Sequence, residues 1–506
     1  MKPIALVAAL GFFLAVTRVT AASIMEPVKT DSGLVSGIAG TDPVVRMYRG
    51  IPYAAPPVGD LRWRAPQPVA HWDGVRKAEQ FGSRCMQAVG RGGRGPAATP
   101  PDMAEDCLFL NVWTAAQSAA ERRPVMVWSH PGGYTSGSGN YDGEPLAKKG
   151  AVLVTYNYRL GPFGFLSHPE LTKESGRNAS GNQALMDMAQ VLQWVQKNIA
   201  SFGGDANRVT IYGDSAGAAM DGGIVGSPQG KGLFQRASSE SGAWMGLSMN
   251  AMAPLSQAED NGKRLATALG VTSLAGMRAR PADEIQQKGR GSGMVIDGWF
   301  IPEDLSLTFA QGRQNKVDVL IGSNKDEGTF FNNGTKADSF TNQMKQRWGD
   351  LADSFFKLYP AGSDEEANTS SLARFRDELG WHMRTWARVQ EKAGNKAFVY
   401  YFTHEPPAAP GQPSRGATHG AEAAYVFNTP GRLWAEADKI LADQISSYWV
   451  NFAATGDPNG KGLPNWPQYH ANGSNQPMIL GEKVDIQPDA ARIALFDALY
   501  AKQKPR

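Results

Sequence analysis

The sequence predicts an α/β fold, a central and mostly parallel sheet flanked by helices. Short runs that are β-branched or aromatic, and apolar on both faces, recur along the chain. They are Val125-Met126-Val127-Trp128, Val152–Tyr156, Val209–Tyr212, Val319–Ile321 and Phe398–Phe402. Strands covered by helices on both sides read this way. Between them lie amphipathic segments. From Gln183 to Ile199 the apolar positions Leu185, Met188, Ala189, Leu192, Val195 and Ile199 recur at spacings of three and four, which is one helix face. Phe202-Gly203-Gly204-Asp205 stops that helix. Strands alternating with helices argue for parallel pairing.

Composition supplies the material for one large core. The chain has 506 residues, 42% hydrophobic and 20% charged, with 57 Gly, 32 Pro and two Cys. That excludes a disulfide-stapled mini-protein, a collagen-like fibre and a disordered chain. Length alone would allow about three domains, but no repeat, heptad run or low-complexity tract divides the sequence. Gly- and Pro-rich stretches at Val89–Pro101 and Pro406–Pro413 read as surface loops. Lys plus Arg number 51 against 48 acidic residues, a net charge of +3. Without a long basic run, nucleic-acid binding has no electrostatic basis.

Residues 1–22 read as a secretory signal peptide. Lys2 gives a positive start, Ile4–Val16 an unbroken apolar run, and Val19-Thr20-Ala21-Ala22 small residues for cleavage. Arg18, close to the cut, is atypical, and a retained interfacial anchor is the alternative. Removing Lys2 and Arg18 with the leader leaves 49 basic against 48 acidic residues, or +1. No later stretch is apolar over the roughly 18 residues that a membrane helix needs, so no stable membrane insertion is expected. The expected location is secreted or periplasmic. In that oxidising route Cys85 and Cys107 can form a disulfide, and buried free thiols are the other possibility. Sequons at Asn178, Asn333, Asn368 and Asn472 matter only in a glycosylating host.

The chemistry concentrates at Gly213-Asp214-Ser215-Ala216-Gly217, placed directly after the strand Val209–Tyr212. A Gly-x-Ser-x-Gly at a strand-to-helix turn is a nucleophile elbow, where a tight turn holds the serine in a strained conformation. A serine hydroxyl needs a histidine base, and the base needs a carboxylate to orient it. Where serine, acid and histidine follow one another in that order along the chain, the histidines available after Ser215 are His382, His404, His419 and His470. His382 sits among Trp381, Met383 and Trp386 in a helical pattern and reads as packing. His404 ends a strand, His470 lies in a polar turn, and His419 stands in the flexible loop Gly416–Gly420. Asp326 and Glu327, just after a strand, are both candidates for the acid. Following the strand Val125–Trp128, Gly132 and Gly133 can aim backbone N–H groups at one point, as an oxyanion requires. No His-Glu-x-x-His or clustered Cys/His set calls for a metal, and no cofactor motif appears.

Taken together these segments resemble the type-B carboxylesterases, the α/β-hydrolase family that includes cholinesterases and para-nitrobenzyl-type esterases. The likeness runs nearly end to end after the leader. It includes Tyr48–Ala54, Leu61-Arg62-Trp63, Glu105–Trp113, Asn157-Tyr158-Arg159, Phe202–Asp205, the elbow, Asn324–Thr329 and His419–Glu422 with Tyr425-Val426-Phe427. The resemblance implies a secreted serine esterase of one catalytic domain, residues 23–506, with helical insertions forming a substrate gorge. It implies Ser215 as nucleophile, His419 as general base and then acid, and Glu327 rather than Asp326 as the orienting carboxylate. The oxyanion hole would be the N–H groups of Gly132, Gly133 and Ala216. Cys85 and Cys107 match the family's first disulfide. The blocks around Arg49, Glu105, Asp106 and Arg159 read as structural ion pairing.

The sequence departs from the family in places. Pro131 replaces the first of three glycines, and Asp214 replaces a glutamate one methylene longer. Met220-Asp221-Gly222-Gly223 replaces a serine and apolar residues, and each glycine opposes helix formation by about 1 kcal/mol. Relatives that lost the triad act in binding or adhesion, whereas here Ser215, Glu327 and His419 all stand. For substrate, residues 86–106 contain no Trp, Tyr or Phe, which disfavours a choline ester. Arg91 and Arg94 in that loop point to carboxylate-bearing esters, such as polycarboxylate or phenolic-acid esters, with a solvated loop as the alternative. Insertions at 243–306 and 330–395 are expected to wall the pocket. Activity is expected to rise as His419 loses its proton, at about pH 6–7 for an ordinary histidine. Nothing in the sequence fixes an oligomeric state.

Overall fold

The computed structural model describes residues 24, 26–88, 102–242, 252–331, 334–473, 475–483 and 490–503. The leader at 1–22, the whole Val89–Pro101 loop with Arg91 and Arg94, part of the 243–306 insertion and the sequon at Asn333 lie outside the described residues.

A ten-stranded sheet forms the centre. Its strands in chain order are β1 (Ile38–Ala39), β2 (Arg46–Pro52), β3 (Phe109–Thr114), β4 (Arg123–Ser129), β5 (Val152–Tyr156), β6 (Gly204–Asp214), β7 (Arg236–Glu240), β8 (Asp318–Asn324), β9 (Ala397–Phe402) and β10 (Met478–Leu480). In space they run β1-β2-β3-β5-β4-β6-β7-β8-β9-β10. Every pairing from β5 onward is parallel. The β1–β2, β2–β3 and β3–β5 pairings are antiparallel. The sheet is therefore mostly parallel with an antiparallel edge.

Alternation along each strand divides the core into two layers. Val125 and Val127 of β4, Val209 and Ile211 of β6, and Val319 and Ile321 of β8 pack on one face. Met126, Trp128, Tyr212 and Leu320 pack on the other. A strand residue and its neighbour point to opposite faces, so a strand apolar throughout needs a cover on each side. The helix Gln183–Asn198 covers the first face with Leu185, Met188, Leu192 and Val195. The helix Glu436–Thr455 covers the second with Ile445, Trp449 and Phe452. The first helix passes into a 3-10 turn and ends at Gly203, whose φ of 80° suits glycine.

One expectation is corrected here. Met220-Asp221-Gly222-Gly223 does not interrupt the helix after the elbow, which runs from Ala216 to Gly226 and is buried throughout. Tertiary packing overrides propensity. Met220, Ile224 and Val225 are fully buried, and a side chain at Gly223 would collide with Met294 Sδ at 2.8 Å.

The structural ion pairs are also more selective than expected. Glu105 pairs with Arg62 at 2.5 Å, and Arg159 grips Asp187 through Nε and Nη2 at 2.9 and 2.7 Å. Arg49 instead donates to the Glu79 carbonyl and lies over the Phe81 ring, 5.1 Å from its centroid. Burial raises the carboxyl of Asp106, with Arg76 opposing weakly. Cys85 and Cys107 form a disulfide, so the free-thiol alternative falls away.

Two stability predictions follow from these contacts. Replacing both cysteines with alanine should cost about 2–4 kcal/mol by releasing the loop between them in the unfolded chain. Asp187→Ala, which strands the buried Arg159 charge, should cost about 3–5 kcal/mol. Urea unfolding of the purified variants measures both.

Candidate active site

The elbow is built where backbones crowd together. Ser215 follows β6 with φ 55° and ψ −117°, outside the favoured regions for a side chain that is not glycine. Its N–H donates to the carbonyl of Glu240, the last residue of β7, at 2.8 Å. A Cβ at Gly217 would lie 1.9 Å from the Ser129 carbonyl oxygen at the end of β4, so only glycine lets the helix start so close. The turn places Ser215 at the mouth of the parallel strands' C-terminal ends, where open α/β sheets bind ligands.

Glu327 and His419 meet beside the elbow. Glu327 Oε2 lies 2.6 Å from His419 Nδ1. Glu327 has no exposed surface, and His419 is 9% exposed. Asp214, the residue before Ser215, approaches the same place, and a Cβ on Gly420 would lie 3.0 Å from its Oδ2. Rings of Phe330 and Phe375 flank the imidazole at 5.7 and 6.4 Å between centroids. They bring the second long insertion to the site.

The other histidines are engaged elsewhere. His382 is fully buried in the helix Asp364–Lys392, 3.8 Å from Glu378. His404 sits between Asp438 at 2.8 Å and Glu482 at 2.9 Å. His470 contacts Glu391 at 2.9 Å. Asp326 has a different task from Glu327. It accepts the Ala417 N–H at 2.9 Å through Oδ2 and pins the loop that carries His419.

Burial alone would depress His419. The charge and hydrogen bond of Glu327, with Asp214 and Glu422 adding, instead raise it to about 9. The sequence expectation of an ordinary histidine is thereby corrected: a buried imidazole ringed by carboxylates holds its proton more tightly.

The Gly132–Tyr134 turn lies at the end of β4. Gly132 and Gly133 have φ of 122° and 60°, and Tyr134 follows at 63°. The Gly132 carbonyl turns back to accept N–H groups from Thr135 and Ser136, both at 3.1 Å. Behind it the His130 ring stacks on Tyr158 at 4.1 Å and donates from Nδ1 to the Pro131 carbonyl at 2.8 Å. Burial lowers His130 to about 4, so it is neutral and acts as a prop. Ala216 opens its helix, so its N–H has no intrahelical acceptor.

A polar layer beneath the site escaped the sequence reading. Ser241 Oγ lies 2.5 Å from Glu327 Oε1 and 3.2 Å from Glu422 Oε1. The Asn324 N–H donates to Glu327 at 2.8 Å, and its side-chain amide donates to Glu422. The Tyr400 hydroxyl donates to Glu422 at 3.1 Å. Burial, then the charges of Asp214 and Glu327, push Glu422 up to about 8. Near neutral pH it therefore carries a proton. Ser241 has one hydrogen, which goes to Glu327, and Glu422 supplies the hydrogen for the second contact. On the other side of the elbow, the Tyr156 hydroxyl contacts Ser129 at 2.8 Å and Ser129 donates to Asp221 at 3.1 Å. Ser129, Tyr156 and Asn324 end their strands, but Tyr400 lies within one, Asp221 within a helix and Glu422 in a turn, and no local pattern gave these residues a shared role.

The fold is that of an α/β-hydrolase, with the Ser215 elbow at the C-terminal ends of its parallel strands. The chain belongs to the carboxylesterase family, whose profile matches residues 25–492. It is 36% identical to the fumonisin B1 esterase of Sphingopyxis macrogoltabida over 95% of this chain and 93% of that protein. It is 32% identical to the para-nitrobenzyl esterase of Bacillus subtilis (strain 168) over 91% and 96% of the two chains. A solved PNB esterase structure superposes with a TM-score of 0.80 at 30% identity, covering 95% of this chain and 99% of that one. The protein is a carboxylic ester hydrolase.

Ser241→Ala should leave Glu327 and Glu422 each short of a partner and cost about 1–3 kcal/mol. Equilibrium unfolding in urea reads that loss directly.

Proposed function

We propose that this esterase works through an acyl-enzyme on Ser215, with a Ser-Glu-His triad completed by His419 and Glu327. The observation that carries the reading is the 2.6 Å contact between Glu327 and His419 Nδ1, set beside a serine held at φ 55° on an elbow. Glu327 fixes the proton on Nδ1 and leaves Nε2 to take the Ser215 proton as its oxygen attacks the ester carbonyl. Charge on the tetrahedral oxygen is met by the N–H groups of Gly132, Gly133 and Ala216. Collapse of the intermediate expels the alcohol, which takes the proton from His419. Water, activated by the same imidazole, then releases the acid and restores the serine.

In this reading residues 1–22 direct export and are removed, and residues 23–506 form one catalytic domain. Among the described residues no helix is long and apolar enough to cross a membrane. The substrate is a small-molecule ester. The relative named a fumonisin B1 esterase makes that compound the first complex ester to assay, alongside simpler carboxylate-bearing esters.

Ser215→Ala should lower para-nitrophenyl butyrate turnover by on the order of 10⁴-fold or more. Glu327→Gln should lower it by about 10⁴-fold, because the imidazole loses its orienting charge. Asp326→Asn should cost less than about tenfold. Esterolysis needs neutral His419, so activity is lost as pH falls through its pKa. A pKa raised from 6.5 to about 9 moves that loss to higher pH. The acid limb of kcat/KM should therefore have its midpoint above 6.5 and move down in Glu327→Gln, as a buffer series with para-nitrophenyl butyrate would record.

A further inference from the structure

Asp214 and Glu240 are register partners on the adjacent parallel strands β6 and β7. Partners in register leave a sheet on the same face, so the two carboxyl groups stand side by side. Both residues are buried, at 2% and 0% exposure, one residue and one hydrogen bond from Ser215 respectively. Glu240 Oε1 accepts the Trp449 indole N–H at 2.9 Å. Glu240 Oε2 and Asp214 Oδ1 have no donor among the described residues. Two buried carboxyl groups on neighbouring strands, each with an oxygen that lacks a donor, repel unless one of them carries a hydrogen.

We infer that Glu240 is a positioning residue, a neutral carboxylic acid whose O–H is shared with Asp214 and holds that carboxylate beside His419. The inference rests on the triad reading for its catalytic consequence, but not for the proton itself.

The surroundings agree. From the strands and loops, Glu422 and Glu327 face the pair, and Asp221 faces it from the elbow helix. The phenols of Tyr141, Tyr212 and Tyr400 add three neutral neighbours. The cation among these groups is His419. Burial, then the charges of Glu422 and Asp214, raise Glu240 well above the carboxylate range. Burial raises Asp214 to about 6, with His419 opposing that rise. Near neutral pH Asp214 and His419 are then charged, while Glu240 and Glu422 hold protons. Sharing the proton moves a hydrogen between two oxygens, and no bond to carbon changes.

Infrared spectroscopy of the full-length protein tests the proton without reference to catalysis. At pH 7 the parent should show a carbonyl band of buried carboxylic acid, and Glu240→Gln should lose part of it. An unchanged band in Glu240→Gln overturns the inference. The pH profile supplies the second arm. Asp214→Asn removes a charge beside the imidazole and should lower the acid-limb midpoint by about one unit or more. Glu240→Gln removes no charge and should leave the midpoint within about 0.3 unit, whatever rate remains. A fall of a unit or more in Glu240→Gln, or none in Asp214→Asn, overturns it. If Ser215→Ala keeps the parent's activity the triad reading fails, while the infrared result still decides where the proton sits.

Discussion

The site depends on how closely three chain segments approach at the elbow. The start of the Ala216–Gly226 helix passes so near the Ser129 carbonyl that a Cβ at Gly217 would stand 1.9 Å from it. The Ser215 N–H is tied at the same point to the Glu240 carbonyl. This contact holds a non-glycine residue at φ 55°, a conformation that costs of order 1–3 kcal/mol and persists only where surroundings impose it. Parallel pairing of β4, β6 and β7 supplies those surroundings. Their C-terminal ends put Ser129, Asp214 and Glu240 at the same level. The glycine turn after β4 and the loops after β7 and β8 then converge on one serine.

Much of this was legible in the sequence because it depends on local rules. Strands apolar on both faces announced a covered sheet, and the spacing of Leu185, Met188, Leu192 and Val195 announced its helix. Ser215 was marked by its two glycines directly after a strand. The choice of His419 and of Glu327 over Asp326 came from likeness to a family rather than from the residues alone. Their neighbours explain why: His404 and His470 also meet carboxylates, and Asp326 also reaches the His419 loop. Such distinctions depend on contacts across 34 to 92 positions of sequence, which no local pattern encodes.

Reading the Met220–Gly223 stretch failed for a different reason. Propensity weighs a residue against solvent, but here the helix is buried along its length, and glycine at 223 lets Met294 pack against it. Asp221 looked foreign to a buried helix. The Ser129 hydroxyl meets one of its oxygens, and burial keeps its proton on. The raised pKa of His419 was likewise out of reach. Asp214, Glu327 and Glu422 come from three separate segments, and only folding places them around one imidazole.

The same carboxyl groups bear on how a turnover ends. Hydrolysis of a neutral ester creates an anion where none existed. In the proposed mechanism it arises beside the buried carboxyl groups of Glu327 and Asp214. In a medium shielded from water, like charges repel over several ångströms. Under the proposed triad the newly formed acid is therefore less welcome in the centre than a neutral ester, and the carboxyl groups that raise His419 also favour the product's departure.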